Sequence, residues 1–133
     1  MFEIKHNGTL LAVGGHVDGM PIGKAFYGDN GLPLQWGTFN LPRGEELQAH
    51  IHRVRNRHFQ SKTLEFLYIV SGKLQCDFYD ADKRFVTSMS LRDGHYLYLI
   101  EGGHGFRSLR DGTKFIEVKL GPFTTVEEDK TKF

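Results

Sequence analysis

Helical periodicity is the first thing this chain of 133 residues lacks. No window of a dozen residues sets apolar side chains at i, i+3, i+4 and i+7 between capping residues, so helices are excluded as the main element. A single cysteine, Cys76, excludes an internal disulfide framework and fits a reducing compartment. No apolar run approaches the ~18 residues needed to span a bilayer. The first residues lack the basic region and apolar stretch of a secretory signal. An excess of one charge is also missing: Lys and Arg number 17 against 16 Asp and Glu, a net +1 with neutral histidines. Nucleic-acid binding usually leaves a strongly basic face, so that partner is not expected. These absences predict a cytoplasmic protein of one domain, with neither a membrane nor a nucleic acid as partner.

Glycine, by contrast, is plentiful at 16 residues, well above a typical share of ~7%. Aromatics reach 13%, with 11 Phe and 5 Tyr, a composition that suits strands. Asn7-Gly8, Asp18-Gly19, Asn30-Gly31, Ser71-Gly72, Asp93-Gly94 and Asp111-Gly112 read as turns, because their residues tolerate positive φ. Between them, β-rich runs fall at 9–13, 35–40, 47–56, 64–71, 73–79, 84–90, 96–100, 105–109 and 114–120. Short runs at this spacing predict an all-β sandwich or barrel, and about eight of them a small jelly roll. Residues 18–33 are Gly-rich and read as loop, and 124–133 as a polar tail, disordered or docked.

Alternation refines this picture. Leu74, Cys76 and Phe78 share one strand face, which reads Cys76 as a small buried hydrophobe; Ile116, Val118 and Leu120 oppose Phe115, Glu117 and Lys119. Both runs are expected to be half-buried. The runs at 64–70 and 96–100 are apolar on both faces and need a second cover, an N-terminal segment or a partner subunit. This predicts a homodimer. Tyr96 and Tyr98 then belong to core or interface.

The seven histidines carry the functional signal. His50 and His52, two apart in a strand, point to one face, where neutral imidazoles can converge on one ion. Glu65 opens a strand whose same-face neighbours are Leu67 and Ile69, so it points inward, and a buried carboxylate needs a cation or hydrogen bonds. His104 stands in Glu101-Gly102-Gly103-His104-Gly105-Phe106, where three glycines let the backbone place the ring tightly. Three nitrogens and one oxygen suit Zn, Fe, Mn, Ni or Cu. Read without a metal, the same histidines hydrogen-bond one another or act as acid and base. Arg53, Arg55 and Arg57 alternate on the opposite face, an anion site or, more commonly for such rows, a solvated strand face. Phe106 shares parity with His104 and either lines the pocket or packs in the core. His6, His16 and His95 read as surface or turn residues.

His50-Ile51-His52, then Glu65, then six residues to Gly72, resembles the first motif of the cupins; Gly94 followed ten residues later by His104 resembles the second. The resemblance covers about residues 34–123. It implies a small jelly-roll barrel over 34–123, preceded by strands and loop over 1–33 that pack on the barrel or a partner, with 124–133 as tail. It places one divalent transition metal (Zn, Fe, Mn or Ni) on His50, His52, Glu65 and His104. Two departures stand out. Twelve residues separate His52 from Glu65, where the usual motif has three or four, and His58 in this stretch is an alternative fourth ligand. In the second motif, Ile100 holds the usual proline position, and the usual asparagine after the histidine is missing.

The function implied is that of a metal-dependent enzyme polarising a small oxygenated substrate, a sugar or keto compound. The alternatives are a metal-free sugar-nucleotide isomerase or epimerase, with the pocket histidines as acid and base, and a binding or sensor module that performs no chemistry. Fold alone does not separate them.

Overall fold

A computed structural model describes residues 1–28, 32–40, 42–46, 48–50, 53, 63–120 and 131–133. Its regular structure is all-β, in three antiparallel sheets of which none closes into a barrel. By contact density the chain divides into two compact units. One comprises Met1–Asp18 with Lys62–Phe133, the other Gly19–Ser61.

The first unit holds β1 (Phe2–His6), β2 (Thr9–His16), β5 (Glu65–Ser71), β6 (Lys73–Tyr79), β7 (Phe85–Arg92), β8 (His95–Leu99), β9 (Gly103–Ser108) and β10 (Lys114–Lys119). The strand β1 runs into β2 through Asn7 and Gly8, both at positive φ (47° and 79°), as a two-residue hairpin turn that matches strand twist requires. A five-stranded sheet runs in the order β1-β2-β8-β5-β10 and a three-stranded one in the order β7-β6-β9.

Their apolar faces meet in one core. The first sheet contributes Ala12, Leu67, Ile69, Leu97 and Leu99; the second contributes Leu74, Cys76, Phe78 and Leu91. The alternation read for β6 is borne out, with Leu74, Cys76 and Phe78 at 2%, 0% and 1% exposure. Tyr96 and Tyr98 are buried, as expected. Cys76 is a free, buried thiol, pushed up to about 12 by burial and by the neighbouring Asp77 charge, and so inert as a nucleophile.

Strand β10 departs from expectation, because side chains on both of its faces are exposed, Phe115 as well as Ile116 and Val118. It is the last strand of its sheet, so among the described residues it is paired on one side only, by β5.

The second unit holds β3 (Gly23–Tyr27) and β4 (Trp36–Asn40), paired as a two-stranded sheet. Strand β3 corrects the loop reading of 18–33. Its strand character comes from cross-strand packing, with Tyr27 stacked on Trp36 at 4.6 Å between ring centroids. The strand expected at 47–56 is corrected where it is described: residues 48–50 and 53 adopt no strand, and the remainder lies outside the described residues. Leu47, Ile51 and Val54 are its only large aliphatic residues, set among charges and histidines, which leaves little apolar area to stabilise a buried face. No helix among the described residues is long and apolar enough to cross a membrane.

Candidate functional site

Glu65 opens β5, paired with Leu99 of β8 on one side and Lys119 of β10 on the other. Strand alternation turns it to the core face with Leu67 and Ile69, as its parity predicts, and it is 8% exposed. His104 lies in β9 opposite Phe78 of β6. Since directly opposed residues share a face, His104 also turns inward, and its ring lies 5.1 Å from Phe106. Phe106 in turn packs against the core, which favours the packing role for it.

The backbone that aims His104 depends on Gly102, at φ +74°, where a Cβ would collide with the carbonyl oxygen of Tyr79. Only glycine fits such a left-handed residue pressed against backbone. The sequence motif that suggested tight placement of this ring therefore has a specific cause.

Glu65 and His104, one from each sheet, meet with Oε2 3.1 Å from Nε2. Oε2 is buried, and apart from this ion-pair contact it has no hydrogen-bond partner among the described residues. The polar contact with the His104 imidazole holds the Glu65 carboxyl below its usual range against the opposing effect of burial; the Glu117 side chain and the Lys119 charge lower it further. Glu65 is therefore a carboxylate at neutral pH. Both groups border a cleft of about 720 Å³ whose walls include the 102–105 backbone, the turn at Asp80 and Lys83, and Phe133.

The other expected ligands belong to the second unit, Gly19–Ser61. His50 belongs to the second unit, exposed, with Nδ1 3.0 Å from the Gln48 carbonyl oxygen. His52 lies outside the described residues, as do His58, Arg55 and Arg57; Arg53 is exposed. Among the described residues no group of three or more His, Cys, Asp or Glu is arranged to hold a metal ion. A carboxylate and an imidazole remain, a hard oxygen and a borderline nitrogen suited to a first-row divalent ion, and the unsatisfied Oε2 fits such a ligand.

Sequence reading missed Glu117 and Lys119 as neighbours of Glu65. Parity placed them together on one face of their strand, but only the long-range register Lys119↔Glu65 says which residue they adjoin. Phe133 was likewise missed, because nothing in a polar tail marks one ring as part of a wall. No protein-family model, curated protein or solved structure matches the chain.

Proposed function

We propose that the cleft of the first unit takes a small oxygenated molecule, and that Glu65 and His104 hold one divalent transition metal (Zn, Fe, Mn or Ni) beside it. The observation that carries this reading is Glu65 Oε2, ionised, buried, 3.1 Å from His104 Nε2 and with no further partner among the described residues. Two donors each about 2.1 Å from one ion lie roughly 3.0–3.4 Å apart at octahedral or tetrahedral angles. The cupin-like motifs support the same reading. They add the jelly roll as the fold, His50 and His52 as further donors, and His58 as the alternative to Glu65.

When bound, such a metal supplies Lewis-acid polarisation of a substrate oxygen. The chain's residues do the rest. Glu65 offsets the ion's charge, Phe106 holds the plane of the His104 ring, and Gly103 and Gly105 keep that wall of the cleft free of side chains. The short carboxylate–imidazole contact also favours a second reading without metal. Glu65 then orients His104 as a general acid and base, on a sugar nucleotide as substrate.

Metal counting by plasma mass spectrometry, on untagged protein purified without added nickel, tests the proposal. We expect about one ion per chain, falling at least roughly tenfold in His104→Ala and in Glu65→Gln at unchanged circular dichroism. A His50→Ala/His52→Ala variant tests the added donors separately. Wild-type protein that carries no metal and takes up neither zinc, iron, manganese nor nickel overturns the metal reading. Turnover of sugar nucleotides in chelator then identifies acid–base chemistry, and saturable binding without product identifies a binding module.

A further inference from the structure

Phe133 is an unusual wall for a cleft. Its ring meets Tyr79 edge-on at 5.0 Å between centroids, and the Lys83 ammonium lies 5.9 Å from its centroid. It also fills the space over Gly103, where a Cβ would stand 2.8 Å from Phe133 Cζ. Yet the residue is 63% exposed, so among the described residues it is held by these few contacts and is not buried in the core. One edge-on aromatic pair and one exposed cation over a ring shift a docking equilibrium by roughly tenfold each at most. A wall held this weakly opens readily. Gly103 directly precedes His104, so the notch and the candidate site share one stretch of β9.

We infer that residues 131–133 form a strap across this cleft, latched by Phe133 in the notch at Gly103, and that release of the latch admits ligand to Glu65 and His104. The inference rests on the proposal that this cleft is the functional site, but it does not require the metal. Gly103 has an ordinary negative or extended φ, unlike Gly102, so alanine there adds a methyl group without straining the backbone. The atom that this methyl group displaces is the far end of the Phe133 ring, which swings away. Gly103→Ala and Phe133→Ala therefore release the same latch from opposite sides.

Carbethoxylation of His104 by diethylpyrocarbonate at pH 7, followed by peptide mass spectrometry, reads access to the cleft. The rate is measured on the full chain as purified and again after EDTA. We expect it to rise about three- to tenfold in Phe133→Ala and in Gly103→Ala, at matched far-UV circular dichroism, with no further gain in the double variant. An unchanged rate in Phe133→Ala, in both conditions, overturns the strap. So do additive effects in the double variant, which would mean that Gly103→Ala acts by another route. Failure of the metal proposal reads differently: the purified protein carries no metal and EDTA changes no rate, while the difference between variant and wild type persists.

Discussion

Cys76 and Glu65 both point into the core of the first unit, and their surroundings push them in opposite directions. Cys76 sits among Leu, Ile and Phe, and burial together with the neighbouring Asp77 charge raises it to about 12. Glu65 is buried comparably, but the His104 imidazole lies against it and keeps it charged. A core position thus silences one group and preserves the other for chemistry. The thiol supplies a direct check. At pH 8 native Cys76 is expected to react with iodoacetamide roughly a thousandfold more slowly than after unfolding in urea. Comparable rates before and after unfolding would contradict the burial. The sequence alone showed that Glu65 faces inward, because Leu67 and Ile69 set the parity of its strand. It did not show what Glu65 faces, because Lys119, Glu117 and His104 reach it through strand pairings and sheet packing over long separations.

At the scale of elements, strands with an alternating or doubly apolar pattern were legible, and β6 coincides with its expected bounds of 73–79. Strands β1 and β3 were not. Phe2–His6 has a mixed pattern and gains its place by pairing with β2, while Gly23–Tyr27 lies in a Gly-rich stretch and is stabilised by the Tyr27–Trp36 pair. The end of the β2–β8 ladder carries a further cross-strand pair, His16 and His95, with ring centroids 4.8 Å apart. His95 Nδ1 lies 3.0 Å from the Arg92 backbone nitrogen and 3.2 Å from the Arg92 carbonyl oxygen. Burial pushes the His95 imidazole below its usual range; the positive charges of His16 and Arg92 act in the same direction, and the Arg92 backbone contact and the Asp93 charge oppose it. The unfolded chain therefore takes up this proton first. The stability His95 contributes is complete above about pH 6.5 and is lost as pH falls through its lowered folded value. Melting temperature is expected to decline between about pH 7 and 5, and to decline less in His95→Gln. Parallel curves for the two proteins would exclude His95 as the cause.

For the whole molecule, the division into Met1–Asp18 with Lys62–Phe133 and an inserted Gly19–Ser61 was not readable from composition, which shows no linker. A homodimer remains a proposal. It is supported by Ile116, Val118 and Val70, which stay exposed on the outward face of the five-stranded sheet beside Phe66 and Tyr68. Sedimentation velocity at about 10 μM is expected to show a species twice the 15.2 kDa chain mass, and Val118→Lys to shift it towards monomer. A monomer in the wild type at that concentration would end the proposal. The order of the larger sheet also has a consequence in time. Strand β2 lies between β1 and β8, with Ala12 paired to Leu99, so its second edge is completed by a strand made some eighty residues later. At ~5–20 residues per second, the apolar edge Leu10–Val13 waits several seconds on the ribosome for its partner. During that interval another nascent copy offers the same strand, so co-translational crowding exposes this edge to pairing between chains.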